Sequence, residues 1–153
     1  MDQPAMIAKL NEILKWEYAG LVQYTQYSFL VQDLWREVYA DFFRGNGKEA
    51  LKHAHLVGDK IVSLGGVTSV ERAEVKVTTD LHEMLENSLQ MELKHVELYT
   101  DALSLLGDKD VGIRNLLEDI CQDEQDGADH LSKILKKQNL GQVSASRPQA
   151  KVG

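Results

Sequence analysis

Six residues stand where a helical chain should be apolar: Glu17, Glu49, His53, Glu92, His95 and Glu124. Glu17 lies three residues after Leu14 and four before Leu21, inside the stripe Ile7, Leu10, Leu14, Leu21, Tyr24, Val31. The stripe Leu64, Ile61, Val57 continues back by four to His53 and again to Glu49, with Ala50 beside it. Leu81, Leu85 and Ser88 lead on to Glu92, His95 and Tyr99; Ile113, Leu117 and Ile120 lead to Glu124, Ala128, Leu131 and Leu135. Spacings of three and four put each set on one helical face. A charge on such a face is costly unless it is paired, hydrogen-bonded or bound to metal. Carboxylates gathered in one low-dielectric core repel each other, so they must be protonated, paired with cations or neutralised by a metal ion. No lysine or arginine lies on these stripes near the glutamates. Oxygen and imidazole donors suit iron, manganese or zinc. One glutamate on an apolar stripe is ordinarily a snorkelling or partner-satisfied side chain. Four acidic positions, one per helix, with a histidine among them, are harder to dismiss.

Four long helices must position these groups. From Gln3 the first stripe runs toward Ala40, and the polar stretch Asp33 to Glu37 is read as a turn, since one helix of that length is unusual. The second helix would extend to about Leu64 and contains Gly45-Asn46-Gly47, where a kink, bulge or short break is expected. Gly65-Gly66 ends it. Val67 to Thr79 is β-branched, carries no helical stripe, and is long for a loop in a small bundle. It has the length to travel along the bundle and join parallel helices. Asp80 with Glu83 is a capping pair for the third helix, and Gly107, Asp108 and Asp110 mark the turn into the fourth. The predicted architecture is therefore all-α: a four-helix bundle over residues 1–137 with a long crossover between helices 2 and 3. Residues 138–153 are rich in Gly, Ser, Gln and Pro and read as a disordered tail. Glu17 to Glu49 and Glu92 to Glu124 are equal intervals of 32 residues, which suggests a repeated helix pair.

Composition narrows the function. The chain has 153 residues, 43% hydrophobic and 27% charged, enough for one globular domain with a core. A net charge of −7 without a basic block argues against nucleic acid or an anionic membrane as partner. One cysteine, Cys121, excludes internal disulfides and cysteine-rich metal sites. With no leader-like opening and no apolar membrane span, a cytoplasmic protein is expected. Trp35, Phe42 and Phe43 exceed what one bundle end needs, which predicts a homodimer or larger homo-oligomer.

The segments LNEILKWEYAGLVQY, LKHAHLVGDKIVSLGG, DLHEMLENSLQMEL and ICQDEQDGADHLSKIL resemble, in order, the four helices of bacterioferritin, a ferritin-like family. The resemblance implies a ferritin-like bundle with Glu17, His53, Glu92 and Glu124 in ligand positions of a di-iron carboxylate site. It implies an iron-binding protein that oxidises Fe(II) with oxygen or peroxide. Two ligand positions of that family are altered: Ala50 stands where it has a bridging glutamate, and Gly127 where it has a histidine. The position of the family's haem-ligating methionine is Leu51, so no haem is expected. His95, three residues after Glu92, is a metal-compatible stand-in for the missing histidine. Glu49 would reach the bridging place if a π-bulge lay between it and His53; an undisturbed register leaves Ala50 as a plain loss. His55 and His82 read as surface residues, while His130 could reach a core edge. Two other functions stay open: a degenerate structural or interaction subunit, and a single-metal binder using Glu17, His53 and Glu124.

Overall fold

The computed structural model describes residues 1–137, so the expected tail lies outside the described residues. The described residues form four helices, α1 (Gln3–Leu30), α2 (Arg36–Ser63), α3 (Leu81–Ser104) and α4 (Val111–Leu135), and no strand. Local chemistry sets their ends. The Asp2 carboxylate accepts from the Ala5 amide at 3.2 Å and caps α1. The Arg36 guanidinium donates to the Val31 carbonyl at 2.5 Å, satisfying the C-terminus of α1 from the next helix. Asp33, at φ 71°, makes the reversal between them. At the end of α2, Gly65 adopts φ 79° and donates to Val62 O, while Gly66 donates to Ile61 O. That pair of bonds is the Schellman arrangement, and it requires a residue that tolerates positive φ. Asp80 caps α3 through the Glu83 amide at 2.8 Å, as the sequence pair predicts.

The Gly45-Asn46-Gly47 stretch does not break α2, which is continuous α-helix from Arg36 to Ser63 with no π-bulge. Glycine costs about 1 kcal/mol per position in a helix. Burial of Phe43, Val57 and Ile61 on the same helix, each fully buried, outweighs that.

Packing partners fix the topology. α1 lies against α2 and α3, and α4 against α3. α2 meets α4 through His53 with Glu124 and Phe42 with His130. Neighbours are antiparallel, so α2 and α3 sit diagonally and run parallel. The crossover 65–80 spans that diagonal by running alongside α1: Asn11 bonds Val67 and Ser69, Lys15 O accepts from the Ala73 amide, and Gln23 and Tyr27 hold Lys76. Gln23, itself buried, accepts from the Lys76 amide at 2.9 Å, and its amide nitrogen reaches Asn87 O at 3.5 Å.

The core is two apolar layers. One contains Met6, Leu10, Ile13, Val57, Ile61, Leu98 and Leu117; the other is built on Tyr24, Tyr27, Phe43, Met84 and Leu131. Phe43 is fully buried against Tyr24 and Tyr27, and Phe42 packs on Tyr39 and Phe43. Of the three aromatics expected to serve an interface, only Trp35 is exposed, at 59%. The bundle end uses the other two itself.

Gln23→Ala should destabilise the fold by roughly 1–3 kcal/mol, because the Lys76 amide loses its acceptor beneath the crossover. Urea denaturation measures the loss, and hydrogen exchange should show the Lys76 amide newly unprotected.

Candidate metal centre

Between the two apolar layers lies a polar one. Glu17 and His53 are 0% exposed, His95 2%, Glu124 4% and Glu92 7%, and all five side chains meet there. The helices supply them from facing stripes at one level of the bundle, which is the only way four stripes can converge.

Glu124 is the hub. Its Oε1 lies 2.7 Å from His53 Nδ1, and its Oε2 lies 3.3 Å from His95 Nδ1. His53 Nδ1 is also 3.8 Å from Glu17 Oε1. Two buried groups with donor atoms close enough to hold an ion result: Glu17, His53 and Glu124, and Glu92, His95 and Glu124. Both include Glu124.

Phenols tie the glutamates to the apolar layers. Tyr99 donates to Glu17 Oε1 at 2.6 Å, and Tyr24 donates to Glu92 Oε1. The His95 ring is anchored by Nε2, 3.1 Å from the Trp16 carbonyl. Among the described residues two buried side-chain atoms have no hydrogen-bond partner: Glu17 Oε2 and His95 Nδ1, the latter close to Glu124 without being aligned for a bond. Glycine leaves clearance beside two of the groups, Gly20 next to the His95 ring and Gly127 next to the Glu92 carboxylate.

The electrostatics follow from burial and crowding. Desolvation pushes the Glu17 carboxyl up to about 7, reinforced by Glu124 and opposed by both histidines. Desolvation, then the Glu124 charge, holds Glu92 well above the ordinary range. Burial works in the same upward direction on Glu124, yet His95 and His53 override it and keep that carboxylate ionised far below the usual value. Burial lowers His95, but Glu17 and Glu124 outweigh it and raise the imidazole to about 10. His53 is likewise raised, burial being overcome by its bond to Glu124. In the metal-free core, protonated imidazoles therefore flank one anionic carboxylate.

Glu49 stands apart. It is exposed and belongs to neither buried group; with Asp123 it faces the outer nitrogen of His53, whose Nε2 is 3.3 Å from Asp123 Oδ2. With α2 regular, Glu49 is turned outward and Ala50 inward. A narrow cleft, about 10 Å³ of internal space, runs from Asn46 and Glu49 past Ala50 to Glu92, His95 and Glu124. That is room for about one water. His130 is exposed and leans on Phe42, away from the centre. Sequence reasoning missed Asp123 and the roles of Tyr99 and Gly20. Tyr99 carried a signal, since it follows Glu92 by the same seven residues by which Tyr24 follows Glu17.

A four-helix bundle with a diagonal crossover and carboxylates and imidazoles at its centre defines the ferritin-like class. The family model of the ferritin-like domain matches residues 7–140, and the chain belongs to that family. It is similar to a bacterioferritin of Mycolicibacterium paratuberculosis, 28% identical over 136 residues, covering 87% of this chain and 85% of the relative. Its fold superposes on a ferritin-like, diiron-carboxylate protein of Bacillus anthracis with a TM-score of 0.82 at 28% identity, over 89% of this chain and 99% of that one. A dodecameric thioferritin of Bacteroides fragilis also gives 0.82, at 20% identity over 95% and 92% of the two chains. Among the described residues no helix is long and apolar enough to cross a membrane.

Raised values on Glu17 and His95 set a pH signature for the metal-free protein. Both groups hold protons in the folded state that the unfolded chain releases, from 4.5 for Glu17 and 6.5 for His95. Their stabilisation is complete below those unfolded values and is lost as pH rises through about 7 for Glu17 and about 10 for His95. Thermal melts of chelator-treated protein should fall steadily from pH 5 to pH 9. A flat profile over that interval would show that these groups do not titrate as their surroundings dictate.

Proposed function

We propose that this chain binds iron as a pair of ions in the bundle core and oxidises Fe(II) there. One observation carries the reading: the buried donors divide into two groups that share Glu124, and each contains one buried atom without a hydrogen bond, Glu17 Oε2 in the first and His95 Nδ1, 3.3 Å from Glu124 Oε2, in the second. A buried donor left unpaired is costly and calls for a partner. The two oxygens of Glu124 face different histidines, as a bridging carboxylate requires. Oxygen donors with one imidazole per ion fit iron, and manganese or zinc would satisfy the same set. The bacterioferritin relative and the diiron-carboxylate neighbour support iron.

Glu17 and His53 would hold one ion, Glu92 and His95 the other, with Glu124 between. Two Fe(II) ions so held would each give one electron, taking O2 and two protons to H2O2, or H2O2 and two protons to two waters. The chain's own residues prepare that chemistry. Trp16 O fixes the His95 tautomer that leaves Nδ1 free once its proton departs. Tyr99 and Tyr24 orient the terminal carboxylates. The cleft past Ala50 admits a molecule of water or oxidant size. A homo-oligomer is part of the proposal, supported by the dodecameric neighbour and by the exposed apolar residues Val22, Phe29 and Leu51 on α1 and α2.

The degenerate reading rests on a different observation: each of the three buried glutamates already has an internal partner, so the core can stand without metal. Metal analysis of protein expressed with iron distinguishes the two. About two irons per chain supports the proposal, one supports the Glu17–His53–Glu124 site alone, and none leaves a structural subunit.

Fe(II) titration should saturate near two per chain and release protons, because Glu17, Glu92 and both histidines must give theirs up. Affinity should weaken as pH falls through about 10, where His95 takes up its proton, and further below about 7, where Glu17 does. Glu124→Ala should lose both ions, weakening binding by more than the roughly 10–100-fold that loss of a supporting group costs. Glu49→Ala should leave the stoichiometry unchanged. Isothermal calorimetry in two buffers reads all of these together.

A further inference from the structure

Two glycines face the buried centre from inside helices, where glycine is a poor choice for backbone reasons alone. A Cβ at Gly127 would stand 2.8 Å from Glu92 Oε2 and 3.3 Å from its Cδ. A Cβ at Gly20 would stand 3.2 Å from His95 Cε1. The first distance is shorter than any real Cβ contact allows, and the second is tight. Gly45, by contrast, has nothing within 4 Å of an added Cβ.

Position 127 follows Glu124 by three residues, so any side chain there points to the level of the centre. The space it would occupy is filled by the Glu92 carboxylate, which Tyr24 holds through its other oxygen. On the opposite side, the His95 ring is packed between Gly20 and its bond to Trp16 O, both on α1. Glu92 and His95 are one helical turn apart on α3, and each leans into the gap that a glycine on another helix leaves open.

We propose that Gly20 and Gly127 determine the ligand geometry of this centre: their missing side chains let α3 deliver both a carboxylate and an imidazole to one ion. Gly127 is then a structural requirement of the rearranged site, and a side chain restored there damages it, even a histidine. This rests on the reading of Glu92, His95 and Glu124 as ligands, and the experiment separates the two.

Cobalt(II) serves as the probe, its visible absorption reporting coordination and its titration reporting stoichiometry. The wild-type chain should take up two ions. Gly127→Ala and Gly127→His should each weaken the second ion at least tenfold and alter its spectrum, while the ion at Glu17, His53 and Glu124 remains. Gly20→Ala, which crowds His95 from the other side, should have the same effect, and Gly45→Ala should bind as wild type. Circular dichroism melts identify variants that remain folded, and Gly20→Ala tests the same geometry should the position 127 variants not fold. Two ions bound as tightly by Gly127→His, or by Gly20→Ala, as by wild type would overturn the inference. Should His95→Ala and Glu92→Ala keep both ions, the ligand reading itself is wrong and the inference falls with it. If those two lose the second ion and the glycine variants keep it, only the inference fails.

Discussion

Five ionisable side chains share one buried level of a small bundle, and their charge must be balanced inside the bundle. Taking a carboxylate out of water costs several kcal/mol even after relaxation, so three of them tolerate burial only with compensation at hand. In the metal-free chain the compensation is made of protons: two imidazolium rings flank Glu124, Glu92 keeps its proton, and Glu17 sits near neutrality. Metal ions would do the same work with higher charge and would displace those protons. The rest of the architecture follows from holding this balance at one height.

The two apolar layers serve it directly. Tyr99 belongs to one layer and Tyr24 to the other, and each sends its hydroxyl into the polar level. The exchange is reciprocal. α1 contributes Glu17 and the phenol that binds Glu92; α3 contributes Glu92 and the phenol that binds Glu17. Glu17 with Tyr24 and Glu92 with Tyr99 repeat the same seven-residue spacing. This gives α1 and α3 an approximate twofold relation, which the equal intervals from Glu17 to Glu49 and from Glu92 to Glu124 do not extend, since Glu49 is exposed where Glu124 is buried. The crossover is what permits it, since α3 must return parallel to α2 to face α1 in the opposite sense. Gln23 and Tyr27 fasten the crossover to α1 within about three turns of Glu17, so its path and the height of the site are fixed by the same helix.

Much of this was legible in the chain. Stripes at three and four residues identified the helices and found Glu17, His53, Glu92, His95 and Glu124 as polar members of buried faces, because burial follows helical phase. Gly65-Gly66 and Asp80 with Glu83 carry their own chemistry and gave the ends of α2 and α3. Glu49 was ambiguous because phase alone puts it one residue from the inward position. The decision depended on whether α2 stayed regular through two glycines, and tertiary packing settled that against local propensity. Asp123 lies beside His53 only through the pairing of α2 with α4, which no local pattern encodes. Gly20 had no signal either. A glycine inside a helix announces a close approach only when the approaching side chain is known.

The two departures from the family pattern have opposite physical consequences. At Ala50 a side chain is missing and nothing has moved in: the cleft from Asn46 and Glu49 reaches Glu92, His95 and Glu124 past the alanine methyl. At Gly127 the equivalent space is occupied by Glu92 itself. One side of the centre is therefore open by about a single water and the other is closed by protein. With no carboxylate side chain at position 50, that space is lined by His53, Glu92, His95 and Glu124 and lies next to the outer carboxylate Glu49. On the closed side the Glu92 carboxylate lies against Gly127 and the His95 ring against Gly20, which leaves no space there for a further side chain. Ala50 sets this asymmetry: its small side chain lines the one-water space beside the buried donors, whereas Gly127 faces a carboxylate that fills the equivalent place.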